Sequence, residues 1–126
     1  MYNIDYKDES TIGDDLVLWR RVHPTQKIFD DNLGAYRPSS QAFQDATLYG
    51  TAMSVNIAGE TTKERTLKGF EDHYIVAFTA GFARSLKQGV MRRPLPDEPA
   101  HADVFGKKTK SVRKQFANQC SWVVPP

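Results

Sequence analysis

The chain of 126 residues has a single cysteine, Cys120. It can form no disulfide within itself and no cysteine-rich metal site, and a reducing compartment suits it best. No run of apolar residues approaches the length needed to cross a bilayer. The opening decapeptide, MYNIDYKDES, has neither a basic region nor an apolar core. A secretory leader is therefore not expected, and a cytoplasmic location is. There is no G-x-G-x-x-G, G-x-S-x-G, H-E-x-x-H or C-x-x-C. These absences remove the common dinucleotide, esterase, zinc-protease and thiol-redox motifs. Gly106-Lys107-Lys108-Thr109 has the tail of a Walker A loop, but His101 stands where the first glycine would be. The histidines at 23, 73 and 101 are too scattered for a metal motif. No metal and no resident cofactor are expected.

What remains is an ordinary globular composition, 40% hydrophobic and 25% charged, on a chain of one-domain length. The net charge of +2 is uneven. Residues 1–63 hold 6 basic and 9 acidic side chains, and residues 64–126 hold 11 basic and 6 acidic, so the halves carry −3 and +5. Either the two halves complement each other within one fold, or the second half meets an anionic partner.

Residues 1–15 are polar and acidic and read as an N-terminal tail, with the domain running from 16 to 126. Leu16 to His23, stopped by Pro24, reads as a strand with Arg20 and Val22 on one face and Trp19, Arg21 and His23 on the other. Residues 24–51 are rich in loop formers, with a short helix expected from Ser39 to Tyr49. In 52–58, Met53, Val55 and Ile57 alternate with Ser54 and Asn56. Thr61 and Glu64 form a capping box that predicts a helix over 62–71. Residues 73–79 are apolar on both faces, the pattern of a central strand. A helix over 80–87 ended by Gly89, strands at 90–93 and 101–105, a helix over 107–119 and a strand at 121–124 complete the reading. Five or six strands in a mixed sheet with three helices, not strictly alternating, predict an α+β fold in one compact domain.

Two places could carry chemistry. The first is Arg20-Arg21 with Arg37-Pro38-Ser39-Ser40. An arginine in an apolar strand must find a partner, and a carboxylate or phosphate held bidentately is one solution. Pairing with Asp14, Asp15 or Asp30 on an exposed face is the other. The second is the helix behind His101, which opens with Lys107, Lys108 and Lys110 although a helix N-terminus prefers acidic residues. Free N–H groups beside lysines can hold a phosphate, with His101 as candidate catalytic acid or base. The plain alternative is a solvated basic face and a structural histidine. Arg92 and Arg93 are either solvent-facing or phosphate-contacting. Asp30 and Asp31 suit a turn better than a cation. Cys120 falls on the Val112/Phe116 stripe and should be inert.

The order Leu18-Trp19-Arg20-Arg21, then Gly34 to Arg37, then Ser54 on a strand is similar to that of ADP-ribosyltransferase-like proteins, and among them the RES-type toxins. There, an arginine on an early strand is followed by a Gly/Arg-containing loop and a strand bearing a small hydroxyl residue. The resemblance covers residues 16–58. It implies NAD or another nucleotide as substrate and a later catalytic glutamate, for which Glu60 and Glu98 are available, neither in a recognisable motif. His23-Pro24-Thr25-Gln26 also resembles one tetrad of the two-histidine phosphoesterases, whereas His101-Ala102-Asp103-Val104 has Asp103 in the hydroxyl position. The stretch from Arg84 to Lys107 looks like that of small bacterial proteins of uncharacterised function, which supplies no activity.

The expectation is a domain that recognises a phosphate or nucleotide, with Arg20, Arg21 or Arg37 as the clamp, Ser39 and Ser40 as donors, and Lys107 and Lys108 beside His101. It requires the 20–40 and 101–108 regions to meet. The rivals are a non-enzymatic protein-interaction module using the basic C-terminal helix and, ranked third, a nucleic-acid binder. No membrane partner is expected.

Overall fold

The computed structural model describes residues 4–46 and 52–126. Its main body is a six-stranded sheet built from β1 (Val17–Val22), β4 (Ala52–Ile57), β5 (Tyr74–Thr79), β6 (Gly89–Arg92), β7 (His101–Phe105) and β8 (Ser121–Val124). The spatial order is β6-β7-β4-β1-β5-β8. Every pairing is antiparallel, so the expected mixed sheet is corrected, while the α+β class stands. A separate hairpin, β2 (Lys27–Asp30) and β3 (Ala35–Pro38), occupies part of the stretch expected to be irregular. Asp30 makes its turn: Oδ1 accepts from the amides of Asn32 and Leu33 while Oδ2 pairs with Arg37. The three helices are α1 (Lys63–Thr66), α2 (Ala80–Ser85) and α3 (Lys110–Gln119).

Period-two alternation decides what the sheet buries. Leu18 and Val22 of β1, Met53, Val55 and Ile57 of β4, Val76 and Phe78 of β5, and Ala102 and Val104 of β7 form one apolar face. On that face α3 contributes Phe116, fully buried, with its ring 4.8 Å from Phe78, 5.5 Å from Phe43 and 5.6 Å from Phe82. Phe43 comes from a 3-10 helix, Ser40–Phe43, whose cap is Ser39: its hydroxyl accepts from the Gln41 amide. This is the described part of the helix expected over 39–49, and its last positions lie outside the described residues. Cys120 packs against the same core, where burial pushes its thiol up to about 12.

Several boundaries move for local reasons. The cap of α1 is Thr62, bonded to the Arg65 amide, because the Thr61 hydroxyl donates instead to Glu98 at 2.8 Å. The helix is one turn long, not the ten residues expected. Helix α2 ends before Lys87, which takes the positive φ of 62°, and Gly89 opens β6 instead. A Cβ at Gly89 would overlap the Phe105 ring across the strand pair. β5 is interior, but the middle of the sheet is the β4–β1 pair.

Residues 4–15 do not trail as a tail. Ile12 is 1% exposed, and Arg84 binds Asp8, Asp14 and the Glu9 carbonyl. The segment runs along the outer edge of β6. The Glu9 amide donates to the Val90 carbonyl, and the carboxylates of Asp8 and Glu9 accept from the amides of Val90 and Arg92 at 2.8 Å. These acidic side chains satisfy an edge strand that would otherwise present open amides. Among the described residues no helix is long and apolar enough to cross a membrane.

Candidate functional site

The second face of the sheet is polar. The antiparallel registers set Trp19, Asn56 and His101 abreast on β1, β4 and β7, and Ser54 opposite Asp103. Directly opposed pairs place Cβ atoms about 5 Å apart, so residues from three distant chain segments converge. Above them lies a cleft of about 620 Å³ whose walls include Arg21, Ser54, Asn56, Phe70, Glu98 and His101. Its volume falls within the range usual for small-molecule sites. A smaller recess of about 30 Å³ shares Arg21, Ser54, Asn56 and His101 with it and is lined besides by Trp19, Arg20, Val55 and Thr66. Arg65, Lys68, Glu71 and Asp97 stand around the larger cleft, so its rim carries both signs of charge.

The two neighbouring arginines do different work, because adjacent strand residues face opposite ways. Arg20 enters the core side and donates to the backbone carbonyls of Ser54 at 2.8 Å, Ala42 at 3.0 Å and Gln44 at 3.5 Å. Burial lowers its pKa to about 10, still well protonated at neutral pH. It ties β1 and β4 to the 3-10 helix and has little left for a ligand. Arg21 lies on the cleft face. It donates to the Thr66 carbonyl at 3.0 Å and stacks 3.9 Å from the Phe70 ring centroid. Its remaining N–H donors have no protein partner among the described residues, and burial lowers its pKa against the opposing pull of Glu98.

His101 is 6% exposed. Its Nδ1 lies 2.9 Å from the Arg93 carbonyl, which can only accept, so Nδ1 carries the proton and neutral His101 presents Nε2 as its basic atom. Burial pushes its pKa below the usual 6.5. Beside it Asp103, 1% exposed, is held by Arg93. Glu98 closes the other side of the cleft. Its carboxylate accepts from Thr61 Oγ1 at 2.8 Å, from the Ala100 amide at 3.1 Å, from Arg65 at 3.4 Å and from Asn56 Nδ2 at 3.5 Å.

Of the residues singled out in the sequence, Arg21, Ser54, Glu98 and His101 line this cleft. The others lie elsewhere. Arg37 pairs with Asp30 at 3.2 Å inside the hairpin. Ser39 caps its helix, and Ser40 is that helix's first residue. Lys107 is exposed ahead of α3, which starts at Lys110 under a Thr109 cap. Lys108 turns back to pair with Asp45 at 2.7 Å and to donate to the Val104 and Gly106 carbonyls. The two leading lysines therefore precede the helix and do not open it. Arg92 binds Glu60 through two bonds, and Arg93 binds Asp103. His23 lies beyond the end of β1 with its ring 5.1 Å from that of His73, away from the cleft.

The residues the sequence reading missed as site members are Asn56, Thr66 and Phe70. Ser54, Asn56 and Arg21 carried one shared signal: polar side chains at alternate positions of strands whose other face is apolar. Among the described residues no group of three His, Cys, Asp or Glu side chains is placed to hold a metal ion. No protein-family model, curated protein or solved structure matches the chain.

Proposed function

We propose that the chain binds a nucleotide in the Arg21–His101 cleft and acts on it as a transferase or hydrolase, in the manner of the ADP-ribosyltransferase-like proteins. One observation carries this reading: Arg21, Ser54, Glu98 and His101, from β1, β4, the loop before β7 and β7, line a single cleft. Their order along the chain is the arginine, hydroxyl and glutamate order of the resemblance, with Glu98 taking the carboxylate position.

Each group has a chemical part. Arg21 offers unused N–H donors to a phosphate, and Lys68 at the rim adds charge. Ser54 Oγ and Asn56 Oδ1 are available for ribose hydroxyls. Glu98 supplies the fixed negative charge that stabilises a carbon turning oxocarbenium-like as a glycosidic bond breaks. His101 Nε2 accepts the proton of the attacking hydroxyl or water. Phe70 already stacks on Arg21 and gives the cleft a flat apolar wall. NAD fits this set as a substrate because it combines phosphates, ribose hydroxyls and a good leaving base.

The test is a calorimetric titration with NAD, ADP-ribose, ATP and inorganic phosphate, followed by chromatography for released nicotinamide. One nucleotide should bind, and Arg21→Met should weaken it by about tenfold or more, equal to about 1.4 kcal/mol. Glu98→Gln should abolish release while leaving binding. No heat with any of the four at millimolar concentration would refute the reading. Co-purification with a protein partner instead would favour the interaction module. Retention of DNA or RNA that falls steeply with salt would favour nucleic-acid binding.

A further inference from the structure

Behind His101 sits a second polar layer that the proposed chemistry leaves unused. Asp103 is two residues further along β7, so it shares the face of His101. At 1% exposure its carboxylate cannot be left without partners. Its two oxygens are used differently. Oδ2 accepts from Arg93 Nε at 2.5 Å and from the Tyr6 hydroxyl at 3.0 Å. Oδ1 has only a long contact with Arg93 at 3.4 Å, and lies 3.8 Å from His101 Nε2. The Nδ1 atom of His101 is already committed to the Arg93 carbonyl. A proton arriving at Nε2 therefore meets the charge of one nearby carboxylate, at 3.8 Å and without a hydrogen bond.

Tyr6 comes from the segment that lines the edge of β6. Its ring stacks on Phe105 with centroids 5.0 Å apart, which fixes where its hydroxyl lies. The N-terminal segment thus reaches the neighbourhood of His101 through one hydroxyl and one carboxylate.

We propose that Asp103 acts through His101 by its charge, stabilising from 3.8 Å the proton that Nε2 takes up in the cleft, and that Tyr6 of the N-terminal segment tunes it by sharing the carboxylate's charge. The proposal rests on the reading of His101 as the base of the cleft. The charged groups facing His101 are Asp103 from its own strand, Arg93 from the loop after β6 and Arg21 from β1, with Glu98 across the cleft. Asp103 favours the protonated ring, whereas burial and the two arginines oppose it. Relieving Asp103 of a donor should strengthen its hold on the proton. Removing its charge should weaken that hold.

The experiment is a proton titration of the His101 ring by NMR on the full chain without ligand. Asp103→Asn should lower the midpoint by about one pH unit, the size expected for losing an opposite charge at this range. Tyr6→Phe and Arg93→Gln should each raise it, Arg93→Gln more. If Asp103→Asn does not fold, the upward shifts in the other two variants carry the test. A midpoint unchanged in all folded variants would overturn the proposal and leave Asp103 as an anchor for Arg93 and Tyr6 only. Because no nucleotide is present, failure here and failure of the nucleotide titration are separate results.

Discussion

Arg20 and Arg21 are neighbours in sequence with opposite expected phenotypes. Methionine at either position keeps the apolar stem and removes the guanidinium. Arg20→Met deletes two good charged hydrogen bonds, at 2.8 Å to Ser54 and 3.0 Å to Ala42, and one marginal bond at 3.5 Å. Bonds from a charged donor are worth about 1.5–3 kcal/mol each, and avoiding the burial of a charge returns part of that. A net loss of about 3–4 kcal/mol follows. In a chain of this size it lowers the midpoint of thermal unfolding by about 10–15 °C. Arg21→Met deletes one bond, to Thr66, and a partly exposed stack on Phe70. The expected loss is about 1–2 kcal/mol. Urea unfolding followed by the fluorescence of Trp19 and Trp122 gives the stabilities, and calorimetry with nucleotide gives the affinities. Arg20→Met should be weakened in stability and, while folded, still bind. Arg21→Met should lose about half as much stability as Arg20→Met or less, and bind at least tenfold more weakly. Equal stabilities, or reversed phenotypes, would refute the division of labour between the two arginines.

Two further outcomes can be measured with the same instruments. Phe116→Ala removes a fully buried ring that touches Phe43, Phe78 and Phe82, and should cost about 3–5 kcal/mol in urea unfolding. His101 has a folded-state pKa below its ordinary 6.5, so as the pH falls the unfolded chain takes up the proton first. The stability this contributes is complete above about 6.5 and is lost as the pH drops toward the folded value. Unfolding midpoints should therefore decline between about pH 7 and 5, and less steeply in His101→Asn.

Much of the sheet was legible because alternation is a local signal. Strands β4, β7 and β8 sit where Met53-Val55-Ile57, His101–Phe105 and Ser121–Val124 placed them. The hairpin was not legible. Its strands leave Ile28, Phe29 and Tyr36 about half exposed, and its acidic, glycine-containing turn reads as loop. The N-terminal segment was misread for a related reason. Its acidic residues look solvated, yet Asp8 and Glu9 are used as hydrogen-bond acceptors along a sheet edge that no local pattern announces. In the candidate site, the inward and outward facing of Arg20 and Arg21 could be read from period two alone. The withdrawal of Lys108 from the pocket could not, because it depends on Asp45 lying within 2.7 Å of it.

Composition, capping residues and strand alternation, which act over a few residues, thus determined the α+β class, most element positions and which side chains share a face. Strand order was decided only in three dimensions. It set β4 between β1 and β7 and so gathered Arg21, Ser54, Asn56 and His101 into one cleft, with Glu98 folded over from the loop before β7. Pairing of distant strands depends on which apolar faces bury together and which edges find partners. Those choices are made by the whole chain and leave no mark on any single stretch of it.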